Sequence, residues 1–427
     1  MTATGSTTRP FRAAVVGSGP SGFYVVQALL RAKDIAVEVD VFDRLPAPYG
    51  LVRYGVAPDH QKIKNVTKVY ARLAGDERVR YFGGVEIGRD LTVEDLRQHY
   101  DAVAFCSGAQ TDRPLRIPGE DLAGSHPATA FVAWYNGHPD YRDLEFELDC
   151  ERAVVVGVGN VALDVARILC RTPEELERTD IAEYALDALR KSRVREVFVL
   201  GRRGPAQAAF TNSELEELGR MEGADARTVP AEVELDPESL RDVEEGGGRQ
   251  VAAKVTLLQA MAEAPVEPKE RTLWLRFLVS PTALEGDASG RVETVRTVRN
   301  ELVRQDDGSL RPRATEDMGS IDAGLVFRAV GYRGVSMPGV PFREDWGTIP
   351  HEAGRVLEAP DGAPVPGTYV AGWIKRGPSG VIGTNRPCSE ETVRSMLEDL
   401  ATGRMPDAAD RDPAKVDALL RERGVRW

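Results

Sequence analysis

Two glycine-rich turns are the parts of this chain whose residue types and spacing most clearly point to ligand binding. The first reads GSGPSG over Gly17–Gly22, and the second reads GVGNVA over Gly157–Ala162. An apolar run precedes each turn and an apolar-periodic segment comes after it, which is typical of the strand, turn and helix of a dinucleotide-binding unit. The first glycine permits a tight turn, the second lets the main chain approach a pyrophosphate, and the third allows close helix packing. Alanine is an accepted variant at the third position.

The residue that closes the next strand differs between the two units. Val37–Asp43 (VEVDVFD) ends in a carboxylate, which suits the ribose of an unphosphorylated adenosine such as that of FAD. The second unit, VREVFVLGRRGP, ends in Arg202 and Arg203, whose forked guanidiniums match a phosphate. This difference predicts FAD at the first turn and NADP(H) at the second. A purely structural glycine turn and a solvated basic turn are the alternatives.

The remaining pattern predicts the elements around these turns. Tyr100–Ala109 and Ala323–Gly334 read as strands that end in glycine turns, and Gly367–Arg386 reads as a strand, a turn and a helix beginning near Gly380. Residues 229–312 are interpreted as a strand-rich insertion with hairpin loops at EEGGGRQ and EGDASGR. MTATGSTTRP is interpreted as a frayed start, and PAKVDALLRERGVRW as a short exposed helix.

Together these elements predict an α/β protein with two doubly wound dinucleotide-binding domains, the NADP domain being inserted into the FAD domain. The FAD domain comprises residues 1–110 and 335–427, and the NADPH domain comprises residues 111–334. Two dinucleotides in one chain imply hydride transfer between them.

Composition excludes several classes of function. The chain has 427 residues, 55 Lys and Arg against 67 Asp and Glu, and a formal net charge of −12, which argues against broad nucleic-acid binding. No apolar run is long enough to predict a membrane span. The four cysteines form no C-x-x-C pair and the five histidines show no ligand spacing, so neither a metal site nor a redox dithiol is predicted. We interpret the cysteines as reduced thiols of a cytoplasmic protein.

The chain as a whole resembles the adrenodoxin-reductase-like ferredoxin–NADP⁺ reductases, including their bacterial members. The resemblance rests on GSGPSGFY, APYGLVRYGVAPDHQKIKN, GNVALDVARIL, GRRGPAQAAFTNSEL and GWIKRGPSGVIGTNR, which occur in the family's order over nearly the whole chain. One departure is Val158, where the family more often has glutamine. The resemblance implies FAD, NADPH and a ferredoxin-type iron–sulfur partner. It leaves open which ferredoxin is used, whether a cytochrome P450 lies downstream, the direction of electron flow and the oligomeric state.

The resemblance also assigns site residues. Those that look like FAD contacts are Gly17, Gly19, Pro20, Gly22, Asp43, Leu51, Trp373, Gly380, Val381 and Ile382. Those that look like NADP contacts are Gly157, Gly159, Asn160, Val161, Arg202, Arg203 and Glu214. Structural alternatives remain for three of them: Trp373 as a core residue, Asn160 as a simple helix start, and Glu214 as part of a TNSE capping box.

His60 and Asp164 are the catalytic candidates, because the matching residues of the family approach each other by the reacting rings. Asp164 lies one helical turn beyond Asn160, so the two share a helix face. The implied roles are positioning and a water-mediated proton route to the flavin. The alternative is that PDHQKIKN merely begins a helix with Asp59 at its N-terminus.

The sequence therefore predicts a flavoprotein enzyme that passes a hydride from NADPH to FAD and single electrons to a ferredoxin. The alternatives are an electron-input subunit of the glutamate-synthase type, whose N-terminal cysteine-rich segment is absent, and a non-catalytic NADPH-binding redox sensor. A disulfide reductase is disfavoured by the lack of C-x-x-C. Arg31 with Lys33 is a candidate basic patch for ferredoxin docking, with ordinary solvated charges at a helix end as the alternative.

Overall fold

A computed structural model describes residues 4–246 and 248–427. The chain forms two compact units. The first comprises the residues up to Val56, Gln61–Thr111 and Tyr332–Trp427, and the second comprises Ala57–His60 and Asp112–Gly331. The tetrapeptide Ala57–His60, which the sequence analysis places inside the first part of the FAD domain, groups with the second unit.

The elements occur in three stretches of chain. The first stretch contains β1 (Phe11–Val16), α1 (Pro20–Leu30), β2 (Val37–Asp43), α2 (Leu51–Tyr54), α3 (Gln61–Lys64), α4 (Thr67–Ala74), β3 (Val79–Gly83), α5 (Val93–His99) and β4 (Ala102–Phe105). The second contains β5 (Thr111–Asp112), β6 (Ser125–Pro127), α6 (Ala128–Tyr135), β7 (Arg152–Val156), α7 (Asn160–Cys170), α8 (Pro173–Glu177), α9 (Glu183–Arg190), β8 (Glu196–Gly201), α10 (Asn212–Leu218), β9 (Ala224–Thr228), α11 (Pro230–Val233), α12 (Pro237–Glu245), α13 (Gly248–Glu263), β10 (Arg271–Phe277), β11 (Val279–Gly286), β12 (Val292–Arg304), β13 (Leu310–Asp322) and β14 (Leu325–Arg328). The third contains β15 (Tyr332–Arg333), β16 (His351–Glu352), β17 (Arg355–Leu357), β18 (Pro364–Val370), α14 (Trp373–Arg376), α15 (Asn385–Ala401) and α16 (Pro413–Glu422).

The first unit is built on a seven-stranded sheet of order β16-β17-β18-β4-β1-β2-β3. The strands from β18 to β3 are parallel, and β16 and β17 extend the sheet as antiparallel strands. Successive residues of β1 point to opposite faces, so Ala13 and Val15 join one core with α1 and α15, while Ala14 and Val16 join another with α5 and α16. Both faces are therefore covered, as a parallel sheet requires.

The second unit is built on a six-stranded parallel sheet of order β6-β14-β7-β8-β10-β9. Helices cover one face, where Ala153 and Val155 are buried with α6, α7 and α9. The antiparallel sheet β11-β12-β13 covers the other face, where Val154 and Val156 meet Val279 and Val295. The predicted α/β class with two parallel sheets is confirmed, and the strand layer on the second sheet is a local elaboration of it.

The predicted strand-rich insertion over residues 229–312 is wrong in its first half. α11, α12 and α13 fill it up to Glu263, because GRQVAAKVTLLQAMAE places Lys254, Val255 and Leu258 on one buried helix face. EEGGGRQ therefore joins two helices, although its Gly247 lies outside the described residues. EGDASGR does form the predicted hairpin loop, between β11 and β12.

Both chain ends are better anchored than predicted. α16 is helical as expected but not simply exposed, because Val416 and Leu420, one turn apart, are buried in the core of the first unit. The predicted frayed start is wrong for its described part, since Gly5 is buried and its carbonyl accepts from Ala36 N at 2.7 Å. Residues 1–3 lie outside the described residues.

Candidate functional site

The first glycine turn has the geometry that a bound pyrophosphate needs. Gly17 has φ +108°, and a Cβ there would lie 2.5 Å from Cys106 O. At Gly22 a Cβ would lie 2.0 Å from Gly17 O, so the helix rests directly on the turn. Gly19 instead faces open space, its nearest neighbour being Gly50 Cα at 4.0 Å. α1 begins with Pro20 and has no side-chain cap, so its first N–H groups stay available to an anion.

Asp43 holds this turn in place. Its Oδ2 accepts from Ser18 N at 2.8 Å and from Ser18 Oγ at 2.5 Å, and its Oδ1 accepts from Leu45 N at 2.9 Å. A carboxylate oxygen has more than one acceptor position, so Asp43 retains capacity for a ribose hydroxyl. The residue that the sequence assigned to the ligand therefore also organises the turn that precedes it.

The turn before Leu51 is packed against the first glycine turn. Tyr49 has φ +93°, a conformation that non-glycine residues rarely adopt, and its N–H donates to Ser18 O at 3.1 Å. A Cβ on Gly50 would lie 3.0 Å from Gly19 Cα. Neighbouring structure thus over-determines a strained backbone here, which is a common property of ligand-binding segments.

The segment from Trp373 to Asn385 differs from the prediction in its helix start. Gly380 has φ +77° and lies in a turn, a 3₁₀ helix spans Ile382–Thr384, and α15 begins only at Asn385. The helix predicted to begin near Gly380 therefore begins two residues later, at Ile382, because the left-handed backbone of Gly380 cannot enter a right-handed helix. Val381 is 55% exposed.

Trp373 is not a core residue. It is half-buried, and its Nε1 donates to Ser379 O at 3.0 Å. Arg376 reinforces the same turn by donating to Ser379 O, Thr384 Oγ1 and Asn385 Oδ1. The exposed turn is thus held in shape from within the first unit.

The second glycine turn repeats the first. Gly157 has φ +131°, and a Cβ there would lie 2.2 Å from Ala329 O. Nothing lies within 4 Å of a Cβ placed on Gly159, which leaves room for a ligand. α7 begins at Asn160 without a side-chain cap, and Ala162 is fully buried in the place of a third glycine.

Arg202 and Arg203 lie beside this turn, directly after β8, and both are exposed. Within the described part of the chain, neither guanidinium makes a hydrogen bond or an ion pair to a protein group. Burial and the charge of Arg202 lower the pKa of Arg203. Two adjacent cations without a carboxylate partner are a site for an anion.

The other two predicted NADP contacts have protein partners. Asn160 Oδ1 accepts from Thr211 N at 3.0 Å, so Asn160 does more than begin the helix. Thr211 Oγ1 accepts from Glu214 N at 3.4 Å, but the Glu214 carboxylate does not reach back to Thr211 N. Only half of the capping box forms, because Asn160 occupies that donor and Glu214 is drawn elsewhere.

Glu214 is drawn into a buried ionic cluster centred on Arg167, which has no exposed side-chain surface. Arg167 Nε and Nη2 donate to Asp59 at 2.6 and 3.0 Å, Nη2 donates to Asp164 at 2.6 Å, and Nη1 donates to Glu214 at 3.1 Å. His60 lies in the same cluster, with Nδ1 at 3.8 Å from Asp164 Oδ1. The predicted pair His60 and Asp164 is therefore brought together, with Arg167 between the acids.

The number of hydrogens on Arg167 Nη2 shows which ring nitrogen of His60 carries a proton. Arg167 Nη2 lies 2.9 Å from His60 Nε2, but its two hydrogens are taken by Asp59 and Asp164. Glu217 Oε2 lies 2.7 Å from the same ring nitrogen. His60 Nε2–H therefore donates to Glu217, and Nδ1 faces Asp164.

The acids of this cluster differ in proton affinity. Burial raises the pKa of Glu214 to about 7. The charge of Asp164 also raises this pKa, whereas the charges of Arg167 and His60 lower it. Burial likewise raises the pKa of Asp164. Burial would also raise the pKa of Asp59, but the hydrogen bond from Arg167 and the charges of Arg167 and Arg171 lower it well below its ordinary value. A pKa of about 7 would allow Glu214 to exchange a proton near neutral pH.

His60, Asp164 and Glu214 are close enough together to form a potential metal site, since one ligand atom from each lies within 4.8 Å of the others. Arg167 contacts all three, however, and its guanidinium already supplies the positive charge that a metal ion would supply. The donor set is therefore better explained as an ion-pair network than as a metal site.

Sequence analysis missed three members of this cluster, Asp59, Arg167 and Glu217, in the roles that they have here. Arg167 lies three positions after Asp164 on α7 and so shares its face, which is a local signal. Asp59 was considered only as a helix-starting residue, but its carboxylate binds Arg167 and Arg171 instead. No local pattern links Glu217 to His60.

The described residues fit the two dinucleotides. Each unit provides a glycine turn that is open at its second glycine and leads into an uncapped helix start. The strand after the first turn ends at a carboxylate, and among the described residues the strand after the second is followed by two guanidiniums without a protein partner. No helix among the described residues is long and apolar enough to cross a bilayer.

Comparisons with known proteins agree with this architecture. Residues 11–198 match the pyridine nucleotide-disulphide oxidoreductase family. The chain is 44% identical over 401 residues to NADPH-ferredoxin reductase FprA of Mycobacterium tuberculosis, covering 93% of this chain and 85% of the relative. It is 43% identical over 418 residues to human mitochondrial NADPH:adrenodoxin oxidoreductase, covering 96% and 83%.

A solved structure of Mycobacterium tuberculosis FprA in complex with NADPH superposes with a TM-score of 0.91 at 42% identity, covering 97% of this chain and 90% of that chain. Identity of this level over nearly the full length extends through both units and both glycine turns. The chain therefore belongs to the family that contains NADPH-ferredoxin reductase FprA and NADPH:adrenodoxin oxidoreductase.

Proposed function

We propose that this protein is a ferredoxin–NADP⁺ reductase that takes electrons from NADPH through FAD to a ferredoxin-type iron–sulfur protein. The observation that carries the proposal is the pair of glycine turns, alike in backbone and opposite in the charge that closes them. One chain with a site for an unphosphorylated adenosine and a site for a phosphorylated one is equipped for exchange between FAD and NADP(H).

The second unit binds NADPH at two points. The N–H groups at the start of α7 face the pyrophosphate, and the guanidiniums of Arg202 and Arg203 donate hydrogen bonds to the 2′-phosphate. Because both guanidiniums lack a protein partner among the described residues, no ion pair has to be broken when the phosphate arrives. Asn160 supports the site by holding Thr211 against the turn.

The first unit binds FAD through the N–H groups of α1, with Asp43 fixing the turn and facing the ribose. Leu51, Trp373 and the main chain of Gly380–Ile382 are proposed to contact the ring system. When bound, FAD accepts the two electrons of NADPH together and passes them on singly, which an iron–sulfur acceptor requires.

Proton balance gives the ionic cluster a role. Each turnover converts NADPH to NADP⁺, reduces two ferredoxins by one electron each and releases one proton. We assign to His60 and Asp164 the positioning and proton-conducting roles. Glu214, with a pKa of about 7, can bind and release that proton at neutral pH.

Two finer assignments concern the location of the protein and the acceptor that lies beyond the ferredoxin. The four free cysteines, two of them buried, suit a reducing compartment, and we propose a cytoplasmic location. A cytochrome P450 that draws electrons from the ferredoxin is one candidate for the downstream acceptor.

The test is a reconstituted assay. Purified protein is expected to carry about one FAD per chain, to reduce ferricyanide with NADPH, and to reduce at least one ferredoxin from a panel of the host's ferredoxins. If the protein reduces ferricyanide but none of the ferredoxins in the panel, this result would contradict the proposed acceptor. Binding of both dinucleotides without turnover would favour the redox-sensor alternative.

A further inference from the structure

The helical segment between β9 and β10 contains a buried lysine that has no place in the site described above. Lys254 lies on the inner face of α13, beside Val255 and Leu258, and only 9% of its surface is exposed. Within the described residues it makes no ion pair with a carboxylate. Burial lowers the pKa of Lys254, so a buried unpaired lysine is costly and its contacts need an explanation.

Lys254 bonds to the segment that comes after the arginine pair. Its Nζ donates to Ala208 O at 2.5 Å and lies 5.4 Å from the centre of the Phe210 ring. The next two N–H groups of that segment, those of Ala209 and Phe210, donate to Val158 O at 2.9 and 3.2 Å. Val158 lies between the two glycines of the second glycine turn. Hydrogen bonds on both sides of the segment from Ala208 to Phe210 therefore connect Lys254 to the second glycine turn, which is proposed to face the pyrophosphate.

Two weaker contacts join the same segment to the same helices. Gln207 Nε2 donates to Ser239 Oγ on α12 at 3.0 Å, and Asn212 Nδ2 donates to Gln250 O on α13 at 3.0 Å. The segment from Gln207 to Asn212 is thus held between the helices on one side and the glycine turn on the other.

We propose that Lys254 is a positioning residue for NADPH, which holds the segment after Arg203 against the second glycine turn. The proposal rests on the proposed function, since it concerns the same nucleotide site. It differs from the role of Arg202 and Arg203 in one measurable respect. Those arginines face the 2′-phosphate and discriminate NADPH from NADH, whereas Lys254 supports the turn that both nucleotides use.

The test compares Lys254→Met with Lys269→Met. Lys269 is the control, because its Nζ also donates to a main-chain carbonyl of this unit, Met221 O at 2.9 Å, but away from the glycine turn; unlike Lys254, it also pairs with Glu267 at 2.8 Å. For Lys254→Met we expect the dissociation constant for NADP⁺, measured by calorimetry, to rise about tenfold, or about 1.4 kcal/mol. The KM values for NADPH and NADH with ferricyanide should rise together, with kcat, FAD content and the preference for NADPH unchanged.

Several outcomes would overturn the proposal. The first is an NADP⁺ dissociation constant of Lys254→Met within twofold of wild type. The second is an equal rise of this dissociation constant in Lys269→Met. The third is a KM that rises for NADPH but not for NADH. Wild-type protein that binds no NADP⁺ would instead contradict the proposed function itself. Lys254→Arg, which keeps a donor, should recover part of the affinity.

A second variant decides the matter if Lys254→Met does not fold. Lys254→Gln keeps a polar end in the same buried position but removes the ammonium group that donates to Ala208 O. It should raise the NADP⁺ dissociation constant about threefold at unchanged melting temperature, since one hydrogen bond is lost or weakened. A dissociation constant equal to that of wild type would overturn the proposal.

Discussion

The two glycine turns have nearly the same backbone geometry, and they differ in the charge that stands at the end of the next strand. Both have a left-handed first glycine, an open second glycine and an uncapped helix start. They differ in the residues that close the next strand, Asp43 in one case and Arg202 with Arg203 in the other. On the proposed function, main-chain groups serve the pyrophosphate, which the two dinucleotides share, and side-chain charge serves the adenosine end, where they differ.

The helices after the turns differ more than the turns do. At equal distance from their first glycines, Tyr24 and Gln27 of α1 and Arg31 directly after it correspond to Asp164 and Arg167 of α7 and Arg171 directly after it. Tyr24 packs edge-on against the Tyr70 ring at 5.9 Å, whereas Asp164 and Arg167 form the buried ionic cluster. A shared turn therefore does not imply a shared use of the helix after it.

The largest effect should come from removing the arginine pair. Arg202→Leu with Arg203→Leu should lower kcat/KM for NADPH at least about a hundredfold through KM, because two charge-assisted contacts at about 1.5–3 kcal/mol each are lost. NADH lacks the phosphate and should be little affected. The measurement is kcat/KM for both nucleotides with ferricyanide.

A matched control lies at the other end of the same strand. Arg193 and Arg195 precede β8 and are exposed, as are Arg202 and Arg203 after it. Arg193→Leu with Arg195→Leu should keep the preference for NADPH. If the first double variant also keeps it, charge after the strand does not select the nucleotide and the comparison of the two turns fails.

Asp43→Ala should show whether the first turn depends on its acid. The change removes three hydrogen bonds, to Ser18 N, Ser18 Oγ and Leu45 N, and should raise the FAD dissociation constant about tenfold. Asp43→Asn keeps one acceptor oxygen, so its FAD dissociation constant should lie between those of wild type and Asp43→Ala. NADP⁺ binding, measured in the same preparations, should stay within about twofold of wild type because its turn is in the other unit.

Glu214→Gln tests the cluster that only the second helix carries. The pKa of Glu214 is raised from 4.5 to about 7, so between these values the folded protein binds more protons than the unfolded chain. The contribution of this group to stability therefore falls as pH rises through that window. The variant lacks this titration, so its melting temperature relative to wild type should rise by a few degrees from about pH 5 to pH 8.

Glu216→Gln, an exposed neighbour on α10, should show no such trend and serves as the control. A pH-independent difference between Glu214→Gln and wild type would contradict the raised pKa of Glu214.

The smallest effect concerns Arg31, which is exposed, whereas its counterpart Arg171 binds Asp59 at 2.7 Å and Glu175 at 2.6 Å. Arg31→Ala with Lys33→Ala should slow ferredoxin reduction about two- to threefold at low salt and not at high salt, because steering by exposed charges is screened. Ferricyanide reduction should not change. Equal salt dependence of the double variant and wild type would exclude this patch as the docking surface.

Much of the fold could be predicted because it is local. β2 has the predicted bounds, and β1 and α1 lie on either side of the first glycine turn as predicted, although α1 already begins at Pro20, because alternating apolar residues, a glycine turn and a helical stripe are neighbours in the chain. The same reasoning failed for α12 and α13, where glycines and charges suggested hairpins although the buried stripe of α13 is helical.

The amino-acid sequence by itself determined the two turns and the charges that close them. Glycine spacing constrains the main chain of each turn directly. The residues that close the next strand, Asp43 in one unit and Arg202 with Arg203 in the other, can be identified from the same local pattern. Only the tertiary structure decided that Asp59 and His60 meet Arg167, that Glu214 points inward, and that Lys254 supports Ala208. These contacts join residues far apart in the chain, and long-range packing leaves no periodic signal at either partner.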